Sequence, residues 1–181
     1  MTEEPDRNLF LFDNVDEKSA KEIVSHIYKI NTYDDKEEKT KRDYVRDPIK
    51  LVIDSCGGHC SSMFAIIDAV INSKTPVYTH ASGVAYSAAA MITLCGKNGY
   101  RTASKYSSLM IHDAYSYFEG KTIQLENEME QRKLLNMKML ELFKNYTTVP
   151  QDVLDKFNNS GQEIYLTADK ALEYGIIDEI V

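Results

Sequence analysis

The run Ile49-Lys50-Leu51-Val52-Ile53-Asp54-Ser55-Cys56-Gly57-Gly58 is an apolar strand that ends in a paired-glycine turn. Residues 61–73 follow with Met63, Ile66, Ile67 and Val70 at helical spacing, the pattern of an amphipathic helix. Pro76-Val77-Tyr78-Thr79-His80 is the next strand. It leads into Ala81 to Ala90, where eight of ten residues are Ala, Ser or Gly, and then into Met91-Ile92-Thr93-Leu94. Strand, helix, strand and helix in this order predict an α/β fold with crossover connections.

The same alternation extends in both directions. Asn8-Leu9-Phe10-Leu11-Phe12 reads as a buried strand, and residues 16–30 place Ala20, Ile23, Val24, Ile27 and Ile30 on one helical face. Residues 34–47 interrupt the pattern: 11 of 14 are charged, six acidic and five basic. That segment is expected to be an inserted, solvated loop or frayed helix, with a docking tag as the sharper alternative. Ser108-Leu109-Met110-Ile111-His112 is another short strand. Residues 122–146 form the longest helical pattern, and the second half is far richer in apolar residues than the first. Its first half is therefore expected to project or to meet another chain. Thr167 offers a helix cap, Ala168 to Tyr174 a short helix, Gly175 its end and Ile176-Ile177 a last strand.

With 181 residues, 43% of them apolar and 27% charged, the chain fits one domain with a real core. A net charge of −7 argues against general affinity for nucleic acid, since a phosphate backbone would be repelled. No run is long and apolar enough for a membrane span, and the polar start, Met1-Thr2-Glu3-Glu4, is not that of a secretory signal, so a cytoplasmic location is expected. Cys56, Cys60 and Cys95 are too few for a disulfide framework. Cys56-Gly57-Gly58-His59-Cys60 invites a metal reading, but zinc needs more ligands than this stretch supplies, and the expectation is no metal and no cofactor.

Three features carry chemistry. The glycines of Asp54-Ser55-Cys56-Gly57-Gly58 allow backbone N–H groups to converge on one point, as an oxyanion hole requires; a plain tight turn is the simpler alternative. Gly83-Val84-Ala85-Tyr86-Ser87-Ala88-Ala89-Ala90 sets a serine among tiny residues where a strand becomes a helix, which suits either an exposed nucleophile or close helix packing. His112 ends an apolar strand, as a base or as a structural histidine.

Taken together, Asp54 to Gly58, Gly83 to Ala88, Met110-Ile111-His112 and Ala171-Leu172-Glu173-Tyr174-Gly175-Ile176-Ile177-Asp178 resemble the Clp proteolytic subunit family (ClpP), serine peptidases of the crotonase-like fold. The interval from Gly58 to Ser87 is 29 residues and that from Ser87 to His112 is 25, as in that family. The resemblance implies repeated β-β-α units, a projecting handle helix within 114–146, and a single peptidase domain over 1–181. It implies Ser87 as nucleophile, His112 as general base, and the backbone N–H groups of Gly58 and Ala88 as oxyanion donors. The family's aspartate position holds Glu163, whose extra methylene moves the carboxylate by roughly 1.5 Å, enough to cost about 100-fold in rate unless the backbone compensates. Asp113, the alternative, is expected on the opposite strand face from His112, with Asp169 and Asp178 as a helix-start and a strand residue.

The family also implies a homo-oligomer of two stacked heptameric rings, an AAA+ unfoldase partner and unfolded polypeptide substrates. Departures are a short polar stretch before the first strand, Cys56 where the family has proline, the 34–47 insertion, and Ala114-Tyr115-Ser116-Tyr117-Phe118-Glu119-Gly120 with one glycine. These, with the Lys, Asn and Tyr content, hint at a divergent, phage-encoded relative. The competing readings are a catalytically inactive ring or scaffold subunit, motivated by Glu163, and an acyl-CoA enzyme of the wider fold. A Ser-Lys peptidase would require Lys97 or Lys105 buried beside Ser87.

Overall fold

The computed structural model describes residues 3–115, 119, 121–159 and 161–181. β1 (Asn8–Leu11) points Leu9 and Leu11 inward, and α1 (Glu17–Thr40) follows a reciprocal cap. Asp16 accepts from the Ser19 N–H at 2.9 Å, and Ser19 Oγ accepts from the Asp16 N–H at 3.0 Å. Next come β2 (Ile49–Ser55), α2 (Cys60–Ile71), β3 (Val77–Tyr86), α3 (Ala88–Leu94), β4 (Thr102–Ala103), β5 (Ser108–Ile111), α4 (Thr122–Tyr146), α5 (Gln151–Asn159), β6 (Ile164–Thr167), α6 (Ala168–Glu173) and β7 (Glu179–Ile180). The sequence-based α/β reading is the class observed.

β1, β2, β3, β4 and β7 are neighbours in that order, and every pair is parallel. Such pairing needs crossovers, which α1 and α2 provide. β3 is shared between two partners: His80 and Ala81 pair with β4, whereas Val84 to Tyr86 pair with β5. The fork falls at Gly83, with φ +70°, where a Cβ would lie 2.7 Å from the Asp54 carboxylate. Asp54 occupies that space and accepts from the Val84 N–H at 3.0 Å. β6 then pairs antiparallel with β5, matching Ile111 to Ile164.

The charged stretch 34–47, expected as a loop or frayed helix, is helical through Thr40. Asp34 continues the buried stripe of Ala20, Ile23, Ile27 and Ile30. Its carboxylate, wholly buried, accepts from Arg7 Nη2 at 2.6 Å, Tyr44 Oη at 2.6 Å and Thr75 Oγ1 at 2.5 Å. Burial alone would raise the Asp34 pKa, but these donors outweigh it and hold it below the usual carboxylate value. Arg46 likewise binds Asp35 at 2.5 Å and Glu38 at 2.7 Å. Partners distant in sequence order a segment that composition marks as solvated.

Two further elements differ from expectation. Ile176 and Ile177 are buried but form no strand; the last strand is Glu179–Ile180, after Asp178 anchors on Arg101 at 2.5 Å. The helix at Gln151–Asn159 buries Val153, Leu154 and Phe157, and Phe157 packs edge-on against Phe143 with 5.2 Å between ring centres. In α4 the buried residues are Asn136, Met139 and Phe143, all in its second half, while Ile123 and Met129 are exposed. Among the described residues nothing covers Ile123 or Met129 in the first half of that helix.

Candidate active site

Ser87 stands at the corner between β3 and α3 with φ 53° and ψ −119°, the one non-glycine residue with positive φ among those described. For an L-residue this conformation is strained, and strain of this kind is kept where surrounding structure enforces it. Two bonds enforce it here: the Ser87 N–H donates to the Met110 carbonyl at 2.7 Å, and the Ser87 carbonyl accepts from the Met91 N–H at 3.2 Å. Because β3 and β5 run parallel, with Tyr86 paired to Met110, the residue two beyond Met110 arrives beside the corner. His112 Nε2 lies 2.7 Å from Ser87 Oγ. The structure thus brings together the two side chains that the sequence left 25 residues apart.

The paired glycines complete one wall. Gly57 has φ +92°, and a Cβ there would come within 2.6 Å of the Tyr86 carbonyl, 2.9 Å of Ser87 Cβ and 3.0 Å of the Ala88 nitrogen. The turn is therefore in backbone contact with the Ser87 corner. Val15 bridges to Gly58 through the Gly57 carbonyl at 2.9 Å and the His59 N–H at 2.7 Å. In a parallel bridge the intervening residue directs its own N–H the other way, here away from Val15. Neither the Gly58 nor the Ala88 N–H has an acceptor among the described residues. Ser55 pins the turn from below: its hydroxyl donates to the Asp13 carbonyl at 2.6 Å and accepts from the Gly57 N–H at 3.1 Å. Ser55 lies within the Asp54–Gly58 turn motif, but nothing in the local sequence marks it as the residue that pins the turn.

Glu163 directly precedes β6 and His112 directly follows β5, just past the Ile111–Ile164 pair at which the ladder ends. The Glu163 carboxylate, however, accepts from Tyr165 Oη at 2.7 Å, and His112 Nδ1 has no hydrogen-bond partner among the described residues. That bond raises the Tyr165 phenol above its usual range. Tyr165 in turn stands edge-on to Tyr86, with 5.6 Å between ring centres. Asp113 is bound by Arg132 of α4, while Asp178 is taken by Arg101 and Asp169 sits exposed in the first turn of α6. Asn136 of α4 also accepts from the Ala114 N–H at 2.8 Å. Lys97 and Lys105 are exposed. Part of the altered Ala114–Gly120 stretch lies outside the described residues.

Cys56 is exposed at the turn, and burial pushes the Cys95 thiol up to about 12. Among the described residues no group of three or more His, Cys, Asp or Glu is arranged to hold a metal, and no helix is long and apolar enough to cross a membrane.

A hydroxyl on a strained corner, hydrogen-bonded to an imidazole and flanked by free backbone N–H groups, has the parts that acyl-transfer hydrolases use. Comparison with known proteins narrows that class. The Clp protease family model matches residues 4–181, and the chain belongs to that family. Its mostly parallel sheet with flanking helices is consistent with the ClpP-type fold. It is 26% identical over 176 residues to an ATP-dependent Clp protease proteolytic subunit of Deinococcus radiodurans, covering 97% of this chain and 80% of that one. It is 28% identical over 182 residues to ATP-dependent Clp protease proteolytic subunit 1 of Protochlamydia amoebophila, with the same coverage of 97% and 80%.

Proposed function

We propose that the chain is a serine endopeptidase, a single ClpP-like domain over residues 1–181 that hydrolyses unfolded polypeptides inside a ring assembly. The 2.7 Å contact between His112 Nε2 and Ser87 Oγ carries this reading. A serine hydroxyl is a weak nucleophile until a neighbouring base removes its proton, and His112 is within reach to do so. Ser87 Oγ attacks the scissile carbonyl carbon, and the proton passes to His112 Nε2. The carbonyl oxygen becomes an oxyanion that accepts from the N–H groups of Gly58 and Ala88. His112 then returns the proton to the leaving amine nitrogen, the C–N bond breaks, and an acyl ester remains on Ser87. Water, deprotonated by the same imidazole, attacks that ester and releases the acid. Glu163 stabilises the imidazolium that forms in each half once its carboxylate turns from Tyr165 to Nδ1.

The family supports two stacked heptameric rings, an AAA+ unfoldase that feeds the chamber, and a cytoplasmic location. The names of the relatives support coupling to ATP use. No cofactor or metal is invoked. The exposed apolar residues on the first half of α4 suit contact with another subunit. A second reading, a catalytically inactive ring or scaffold subunit, is favoured by one observation: Glu163 is bonded to Tyr165 rather than to His112.

The test is intact mass after treatment with a serine-reactive fluorophosphonate, for wild type and Ser87→Ala, with native mass recorded alongside. One adduct per subunit, absent from Ser87→Ala, is the expected result. A fully assembled ring that takes no adduct overturns the peptidase reading in favour of the scaffold.

A further inference from the structure

Glu163 accepts from Tyr165 through its carboxylate and sits in sequence just before the strand that pairs with the one leading to His112. The β5–β6 ladder ends at Ile111–Ile164, and His112 and Glu163 are the next residues on the two strands, positions that share a face wherever an antiparallel register continues. Strand alternation puts Glu163 and Tyr165 on that same face. Tyr165 cannot drift: it pairs with Met110, which pairs with Tyr86, and its ring meets Tyr86 edge-on at 88°. Its hydroxyl holds Glu163 Oε2 at 2.7 Å while His112 Nδ1 is left without a partner among the described residues.

Building on the assignment of Ser87 and His112 above, we propose that Tyr165 is a positioning residue that competes with His112 for the Glu163 carboxylate. In the state described, the phenol latches Glu163, and the imidazole is held through Nε2 by Ser87 but not by the carboxylate at Nδ1. When Glu163 swings to Nδ1, the imidazole is held in the tautomer whose Nε2 accepts the serine proton, and the site becomes fully active. No covalent bond changes in this switch; one hydrogen bond to the carboxylate replaces another. The longer reach of glutamate, a liability if the residue had only one station, is what allows it to serve two.

The experiment is a double-mutant cycle on the assembled protein with Tyr165→Phe, Glu163→Gln and both together. The readouts are the rate of Ser87 acylation by a fluorophosphonate, followed by intact mass, and kcat and KM on a fluorogenic peptide. Losing a competing hydrogen bond worth about 0.5–1.5 kcal/mol should raise acylation and kcat about three- to tenfold. KM should stay unchanged, and the gain should vanish in the Glu163→Gln background. A Tyr165→Phe protein that is no faster than wild type, including one in which neither is labelled, overturns the latch. So does an equal gain with Gln at 163, since Tyr165 would then act through something other than the carboxylate. An adduct that persists in Ser87→Ala instead overturns the assignment of the nucleophile, and so separates the two failures.

Discussion

Gly57→Ala tests the contact between the glycine turn and the serine corner. The added methyl would meet three atoms at 2.6, 2.9 and 3.0 Å, namely the Tyr86 carbonyl, Ser87 Cβ and the Ala88 nitrogen. The first and last are backbone, so they yield only if the turn or the corner moves by several tenths of an ångström. The φ of +92° adds its own penalty of about 1–2 kcal/mol for an L-residue. Displacement of reacting groups by about 1 Å costs on the order of 100-fold in rate, so kcat should fall by about 10- to 100-fold. Gly99→Ala separates the two costs, because Gly99 has φ +85° with nothing within 4 Å of its would-be Cβ. It should lower Tm by only about 2–8 °C and leave kcat and fluorophosphonate labelling unaltered. Both variants would be measured by peptide hydrolysis, Ser87 labelling and thermal melting. Gly57→Ala with kcat within threefold of wild type would refute the claim that the turn abuts the corner.

Other perturbations have equally definite outcomes. Asp34→Asn leaves Arg7, whose side chain is 12% exposed, facing a neutral partner. The loss should be about 3–5 kcal/mol, or about 6–20 °C in Tm at this chain length. Because the folded pKa of Asp34 is held below 3.8, its contribution is complete above that value and disappears as the pH falls through the lower folded value. The Tm gap between wild type and Asp34→Asn should therefore hold steady from pH 7 down to 3.8 and narrow only below it, and a gap that narrows well above 3.8 would contradict the assignment. Arg132→Met uncovers the buried Asp113 carboxylate and leaves the Ala114–Asn136 bond as the remaining hydrogen bond from the segment after His112 to α4 among the described residues. Since the Arg132 side chain is 41% exposed, the cost should be about 1–2 kcal/mol, with faster hydrogen exchange at residues 113–115. Iodoacetamide should modify the exposed Cys56 first and reach Cys95 only after unfolding, as peptide mass mapping would show.

What could be read in advance depended on whether a feature is local. The helix at 122–146 was legible to the residue because its pattern is continuous, and the strand at 49–55 because Pro48 and two glycines bracket an apolar run. The Ser87 corner could be anticipated since tiny residues flank it on both sides. The helical end of α1 could not, because the partners of Asp34 lie 27, 10 and 41 residues away in Arg7, Tyr44 and Thr75. Val153, Leu154 and Phe157 did carry a helical spacing after Pro150, and that signal was passed over. Glu163 shows the sharpest limit: counting back from Tyr174–Asp178 puts it in the aspartate position of the resembled family, but its carboxylate is bonded to a tyrosine hydroxyl two residues on. Backbone register follows from sequence; the choice between two hydrogen-bond donors does not.

The Asp34 hub has a consequence for anyone redesigning this chain. A run of eleven charges invites deletion, or replacement by a tag, as surplus surface. Yet this one carboxylate fastens Arg7 just ahead of the first strand, Tyr44 on the way to the second and Thr75 on the way to the third. Excising the stretch would loosen the starts of three adjacent parallel strands at once, and the Gly57-Gly58 turn hangs from the far end of the middle one. Grafts belong elsewhere, at a glycine such as Gly99, where an added side chain would meet nothing within 4 Å of its Cβ.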